Sequence, residues 1–158
     1  MQTLEGFRLS PQQKHLWLLQ QDSLAYRAYC AIQVEGNLNV QALRSALNKI
    51  VNRHESLRTT FHRQPGIKIP IQVIAESGTL SWNQVNLKEL NFQEQSAYIE
   101  QLFREAGNFH FKSKPESILH SSLLKLSDNR HILLITLPAL CADSWMLKNL
   151  VKEISQTY

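Results

Sequence analysis

A chain of 158 residues, 43% hydrophobic and 19% charged, is long enough for one compact domain with a real core and too apolar for wholesale disorder. Its net charge is +4, and the 17 Lys and Arg residues, among them Lys14, Arg27, Arg44, Lys49, Arg53, Arg58, Lys68, Lys112 and Lys114, form no stripe that could track a phosphate backbone, which argues against nucleic acid. Cys30 and Cys141 make neither a CxxC pair nor a disulfide framework. The first ten residues hold no apolar signal core, and no window reaches the roughly 18 apolar residues of a membrane span, so the expectation is a soluble cytoplasmic protein without a membrane partner.

In chain order, "LSPQQKHLWLLQQD" offers Ser10 as an N-cap, Pro11 at the first helical position and Leu16, Leu19 and Gln20 at helical spacing, predicting a helix from about Pro11 to Gln21. "YRAYCAIQVEG" alternates Tyr29, Ala31, Gln33 and Glu35 against Cys30, Ile32 and Val34, the period of a half-buried strand that Gly36 stops. Cys30, Ile32 and Val34 are the core-facing set. Asn39 then caps a helix whose Ala42, Leu43, Ala46, Leu47, Ile50 and Val51 form one apolar stripe. "SLRTTFHR" and "IPIQVIA" predict a hairpin around Gln64-Pro65-Gly66. Phe92, Tyr98, Ile99, Leu102 and Phe103 predict a helix from Asn91 to about Ala106, ended near Gly107. "SILHSSLLKLS" and "RHILLITL" predict two apolar strands around Asp128-Asn129, and Leu147, Leu150, Val151 and Ile154 line a last helix to Tyr158. The class is mixed α and β, with a sheet of about four to six strands. The abrupt end on an amphipathic helix suggests that further sequence follows.

Between the last strand and the last helix lies "LPALCADSWM", a tight turn of the kind that often carries an active site. Yet Pro138, Ala139, Leu140 and Ala142 offer no acid, base or nucleophile. Cys141 near a helix start is a conceivable nucleophile, but a small buried thiol is the commoner role for such a residue. His131 lies eight positions before Ala139, roughly 25 Å away along an extended strand, too far to act at the turn. Trp82 and Trp145 read as core aromatics. His15, His54, His62, His110, His120 and His131 show neither HxH nor HExxH spacing, so no metal site is expected.

Two stretches carry a resemblance. "LSPQQKHLWLLQQ" resembles the first core motif of the condensation domains of nonribosomal peptide synthetases, and "RHESLRTTF", Arg53 to Phe61, matches their second motif, RHExLRTxF, at every defined position. The strand "YCAIQVEGNLN", the segment "NFHFKSKPESILHSSLLKL" and "LITLPALCADSWMLKNLVKEI" agree in order and spacing. The likeness runs from Phe7 to Tyr158 and covers the first of the family's two lobes. The family's third motif is HHxxxDG followed by Trp. Aligning Asp143 and Trp145 with it places Pro138 and Ala139 where the two histidines belong and Ser144 where the glycine belongs.

The resemblance implies an α/β (α+β sandwich) fold, one chloramphenicol acetyltransferase-like lobe over residues 1–158, its mixed sheet carrying helices on one side. In active members the second histidine is held to position the amine or act as general base on a carrier-bound thioester, which a methyl group cannot do. The surviving Asp143 is in that family architectural, held by an ion pair near the channel. Arg53, His54, Glu55 and Arg58, like Asp143 and Trp145, read as structural motif residues, since buried polar groups are most often simply hydrogen-bonded.

The expected function is therefore a catalytically degenerate lobe that docks or scaffolds in peptide biosynthesis. Its expected partners are an adenylation domain, a peptidyl carrier protein or a tailoring enzyme, with self-association through uncovered surface. No cofactor is expected on the lobe itself, although a partner carrier's phosphopantetheine could reach it. The alternative is the first lobe of a split or truncated condensation domain that still joins carrier-bound substrates, since proximity alone lowers barriers. A small-molecule acyltransferase of the same fold would need a histidine at position 139 and ranks last.

Overall fold

The computed structural model describes residues 6–20, 26–108 and 117–158. The elements are β1 (Phe7–Arg8), α1 (Pro11–Leu19), β2 (Arg27–Glu35), α2 (Val40–Arg53), β3 (Thr59–His62), β4 (Ile71–Ile74), β5 (Leu80–Asn86), α3 (Phe92–Asn108), β6 (Leu119–Ser127), β7 (Arg130–Pro138) and α4 (Ser144–Thr157). A four-stranded sheet runs β2-β7-β6-β5, and a three-stranded sheet runs β1-β4-β3. All pairings are antiparallel except β5 with β6, which is parallel.

Local chemistry sets the element ends. At α1, Ser10 Oγ accepts from the Gln13 N–H at 3.2 Å while Gln13 Oε1 accepts from the Ser10 N–H at 2.9 Å, a reciprocal cap that satisfies two otherwise orphaned donors. The helix ends at Leu19; the expected extension to Gln21 falls on a residue outside those described. Asn39 caps α2 through the Ala42 N–H. The expected hairpin is β3 and β4, with Gly66 at φ +80° behind Pro65, the left-handed position that a glycine fills without strain. Its upstream half is shorter than expected, because Glu55–Arg58 form a 3-10 turn.

Helices pack on both faces of the larger sheet. On one, Cys30, Ile32 and Ala28 of β2 lie opposite Ile135, Leu133 and Leu137 of β7, and α2 and α4 cover them with Leu43, Leu47, Ile50, Leu150 and Ile154. The expected core set Cys30, Ile32 and Val34 is on this face, with Cys30 and Ile32 packed against the cluster. On the other, Tyr29 meets Phe103 of α3 with ring centroids 6.1 Å apart. Gln95 anchors the start of α3 by donating to the carbonyls of Leu87 and Leu126. The expected class, a mixed sheet with packed helices, is the one observed, but α3 corrects the one-sided arrangement. Its stripe has its own apolar surface to cover, made by the alternate residues Leu124 and Leu134, both buried.

A second, smaller cluster joins the two sheets: Trp17 of α1, Phe61 of β3 and Leu140 of the turn after β7. Trp17 and Phe61 rings lie 6.5 Å apart, and Trp17 Nε1 donates to the Lys68 carbonyl. No helix among the described residues is long and apolar enough to cross a membrane.

Candidate functional site

The turn at the end of β7 is held from three directions. Its Ala139 N–H donates to the Tyr26 carbonyl at 3.0 Å, and the Cys141 N–H donates back to Pro138 at 2.9 Å. From α1, Gln13 Nε2 donates to the Leu140 carbonyl at 3.1 Å and to Gln72 Oε1 of β4 at 3.3 Å. Leu140 is 4% exposed, its side chain sunk between Trp17 and Phe61. Asp143 Oδ1 accepts from the Met146 N–H at 2.7 Å and so caps α4, whose first residue is Ser144. A charged cap there also meets the positive end of the helix dipole.

Between α1 and the start of α4 this leaves a cleft of about 340 Å³, with Gln12, Gln13, Leu16, Ala139, Asp143 and Trp145 in its lining. Trp145 is 73% exposed, so the expectation of a core aromatic is corrected. It sits in the first turn of α4, where the apolar stripe of Leu150 and Ile154 has not yet met the sheet. Trp82 is half-buried on β5 against the main core, as expected.

The chemistry on offer in the cleft is sparse. Ala139 presents only a methyl group to the cleft. The half-buried Cys141 has its sulfur 4.0 Å from the Thr59 carbonyl, and burial pushes its thiol up to about 12, so the nucleophilic thiolate is suppressed at neutral pH. Asp143 spends one carboxylate oxygen on the cap. His131 is 4% exposed at the far end of β7, opposite Val34, and burial lowers its pKa, an effect Lys125 reinforces. It does not reach the turn. Sequence reasoning passed over His120: the register sets it on β6 opposite Thr136, two positions before Pro138, at the turn end of the sheet. Burial lowers its pKa first, and nearby Arg27 adds to this against the raising effect of a hydrogen bond that the ring donates to the Ser117 backbone, so the neutral imidazole is favoured. Only the β6–β7 register reveals that proximity.

The RHExLRTxF stretch divides in two. Arg53 and His54 leave the turn altogether and bind Glu153 of α4. Arg58 donates to the Ala75 carbonyl and lies 3.8 Å from Glu55. Thr59 and Phe61, in contrast, reach the turn through Cys141 and Leu140. The motif thus supports the turn from beneath. Among the described residues no group of three or more His, Cys, Asp and Glu is placed to hold a metal ion.

A model of the condensation domain matches residues 5–158. The chain belongs to the condensation-domain family. As a condensation domain it is 33% identical over 153 residues to chondramide synthase cmdD of Chondromyces crocatus, covering 95% of this chain and 4% of that protein. It is 35% identical over 150 residues to cyclosporin synthetase simA of Tolypocladium inflatum, covering 92% of this chain and 1% of that one. The starter condensation domain of rhizomide synthetase RzmA superposes with a TM-score of 0.82 at 18% identity, covering 98% of this chain and 39% of that one, which bears on the fold alone. A chain in the complex of the X-domain and OxyB from teicoplanin biosynthesis gives 0.75 at 25% identity, covering 100% of this chain and 33% of that one. The chloramphenicol acetyltransferase-like lobe expected from the motifs is therefore the fold observed. The chain spans only a few hundredths of the length of these synthetases.

Proposed function

We propose that residues 1–158 form a single condensation-type lobe that has given up general-base chemistry and serves as a docking or structural element in a nonribosomal peptide synthetase. The observation that carries this reading is Ala139 at the head of an otherwise well-held turn: three hydrogen-bonded supports keep its shape while no imidazole stands there. The suppressed thiol of Cys141 offers no replacement. The docking half is supported by the exposed Trp145 at the mouth of the cleft, since large exposed aromatics favour interfaces. It is supported too by the similarity to a chain of the X-domain and OxyB complex. The partners are an adenylation domain, a peptidyl carrier protein or a tailoring enzyme. The lobe carries no cofactor of its own; the amides of Gln12 and Gln13 beside apolar Leu16 and Met146 suit a slender, amide-bearing arm such as a carrier's phosphopantetheine.

The test offers acyl- and aminoacyl-loaded carrier proteins to the chain and follows product by mass spectrometry. No condensation above background, with measurable binding of a flanking synthetase domain in a pull-down, is the expected outcome. Product formation abolished by Cys141→Ala but not by Asp143→Ala would replace this reading with a thiol mechanism.

His120 favours a second reading, in which the lobe belongs to a split or truncated condensation domain that still joins carrier-bound substrates. A neutral imidazole at the turn end of the sheet is a group of the right chemistry. Product formation that disappears on His120→Ala would select it.

A further inference from the structure

Among the described residues His131 is the only buried histidine. It stands on β7 in the same row as Leu133, Ile135 and Leu137, on the face of the sheet that α2 and α4 cover with Leu43, Leu47, Leu150 and Ile154. Its Nδ1 is sealed from solvent and has no hydrogen-bond partner among the described residues. The lobe's own side chains make this closure, so nothing packed against the lobe from outside is needed for it.

The charges around the ring all disfavour a second proton. Across β6 the residue directly opposite is Lys125, and across β2 it is the apolar Val34. Asp128 is exposed and already shared between Lys125 at 3.1 Å and Lys88 at 2.7 Å, two cations on one anion. Glu35 pairs with Arg130, one residue along and so on the other face of the sheet, and its carboxylate accepts from Gln33 Nε2. On the covering helices Arg44, Lys49, Lys148 and Lys152 are exposed, Arg53 and Glu153 bind each other, and the Tyr158 hydroxyl accepts from the Asn39 N–H. An imidazolium here would bury a positive charge whose Nδ1–H has no acceptor and whose cross-strand neighbour is another cation. Burial, with Lys125 in support, holds the His131 pKa below its ordinary 6.5.

We propose that His131 is a pH-sensitive latch built into the fold: neutral, it lets the sheet close beneath α2 and α4, and its protonation drives the ring out of that layer and loosens the Val34, His131 and Lys125 end of the sheet. The sign follows from linkage. The unfolded chain accepts a proton that the folded chain refuses, so the contribution is full above pH 6.5 and is lost as pH falls below it. The latch lies at the end of β7 remote from Ala139 and is independent of whether the turn carries chemistry.

The experiment compares chemical denaturation of wild type and His131→Gln from about pH 8 to about pH 5, the range in which histidine changes charge. His120, also lowered by burial, is present in both proteins and cancels. The wild-type folding equilibrium constant is expected to fall more steeply in acid than that of the variant, by up to about tenfold per pH unit. This difference in slope is separate from whatever the substitution costs at neutral pH. Two measurements on the wild type stand even if the variant fails to fold. In an NMR titration the His131 ring is expected to change charge below the ordinary histidine value. In hydrogen exchange, corrected for the intrinsic effect of pH, the amides of residues 32–35 and 130–133 are expected to lose protection in acid ahead of those of residues 137–146. Parallel pH profiles for the two proteins, a His131 that titrates at or above the ordinary value, or equal loss of protection at both ends of β7 would each overturn the proposal.

Discussion

His54 Nε2 lies 2.6 Å from Glu153 Oε2, which ties the histidine of the RHExLRTxF stretch to the outer flank of α4. Arg53 Nη1 takes the other carboxylate oxygen at the same distance. Two residues read from sequence as structural motif residues thus form a clasp between the end of α2 and the last turns of α4. Burial alone would raise the Glu153 pKa, but the hydrogen bonds and charges of His54 and Arg53 outweigh it and hold the carboxyl below its usual value.

Glu153→Gln is expected to lower stability by about 1 kcal/mol, since Arg53 and His54 are themselves substantially exposed, and to lower Tm by roughly 2–4 °C. The sign of the pH dependence follows from a depressed carboxylate: its contribution is present above the usual carboxylate pKa and is lost as pH falls through the depressed value. Thermal melts of wild type and Glu153→Gln should therefore differ at neutral pH and converge in acid. A gap that widens in acid would contradict the clasp.

Cysteine reactivity should be low and ranked. With a pKa pushed up to about 12, Cys141 presents thiolate at roughly one part in 10⁵ at pH 7. Burial raises Cys30 as well, but on an open edge strand. Iodoacetamide labelling followed by mass spectrometry should modify Cys30 before Cys141 in the native protein and both rapidly in denaturant. Fast native labelling of Cys141 would reinstate it as a nucleophile.

Gln13 serves as both acceptor and donor, and its two variants separate these roles. Gln13→Ala leaves the Leu140 carbonyl without that donor and should cost about 1–2 kcal/mol. Gln13→Glu keeps the acceptor for the Ser10 N–H but turns an oxygen toward Leu140 and Gln72, and should cost more than alanine. Chemical denaturation gives the ordering, and a glutamate milder than alanine would show that the donor half is idle.

The fold class, and the α2 and β2 patterns in particular, were legible because each buries one face and so alternates cleanly. β5 escaped: "LSWNQVN" is mostly polar and is a strand because β6 pairs with it in parallel and Trp82 packs beneath. β1, two residues long, owes its pairing to β4 and has no pattern of its own. The turn was legible as a turn, because an apolar strand runs directly into a capped helix there. Trp145 and His120 were not, because exposure in a first helical turn and proximity across a strand register are set by partners far along the chain.

Ser121 offers a contrast between packing and polarity. Its hydroxyl is buried on β6, opposite Ile135, with no hydrogen-bond partner. Ser121→Ala should leave stability unchanged or raise it by up to about 1 kcal/mol, because an unsatisfied buried hydroxyl carries its desolvation cost uncompensated. Ile135→Ala, in the same layer, should cost about 2–5 kcal/mol. Denaturant midpoints for the pair decide whether the core at this level is dry.

β7 holds an interior place in its sheet, with β2 on one side and β6 on the other, yet α2, β3, β4, β5, α3 and β6 all come between it and β2 in sequence. During synthesis β6 and β7 can close as a local hairpin as soon as they emerge, but Glu35 must wait for Arg130 before β2 has any neighbour. Every element from α2 to β6 therefore leaves the ribosome before the sheet can zip, and until then β2 lacks its β7 neighbour. Closure over such a separation is slow, and a strand left unpaired for that time is open to misassociation.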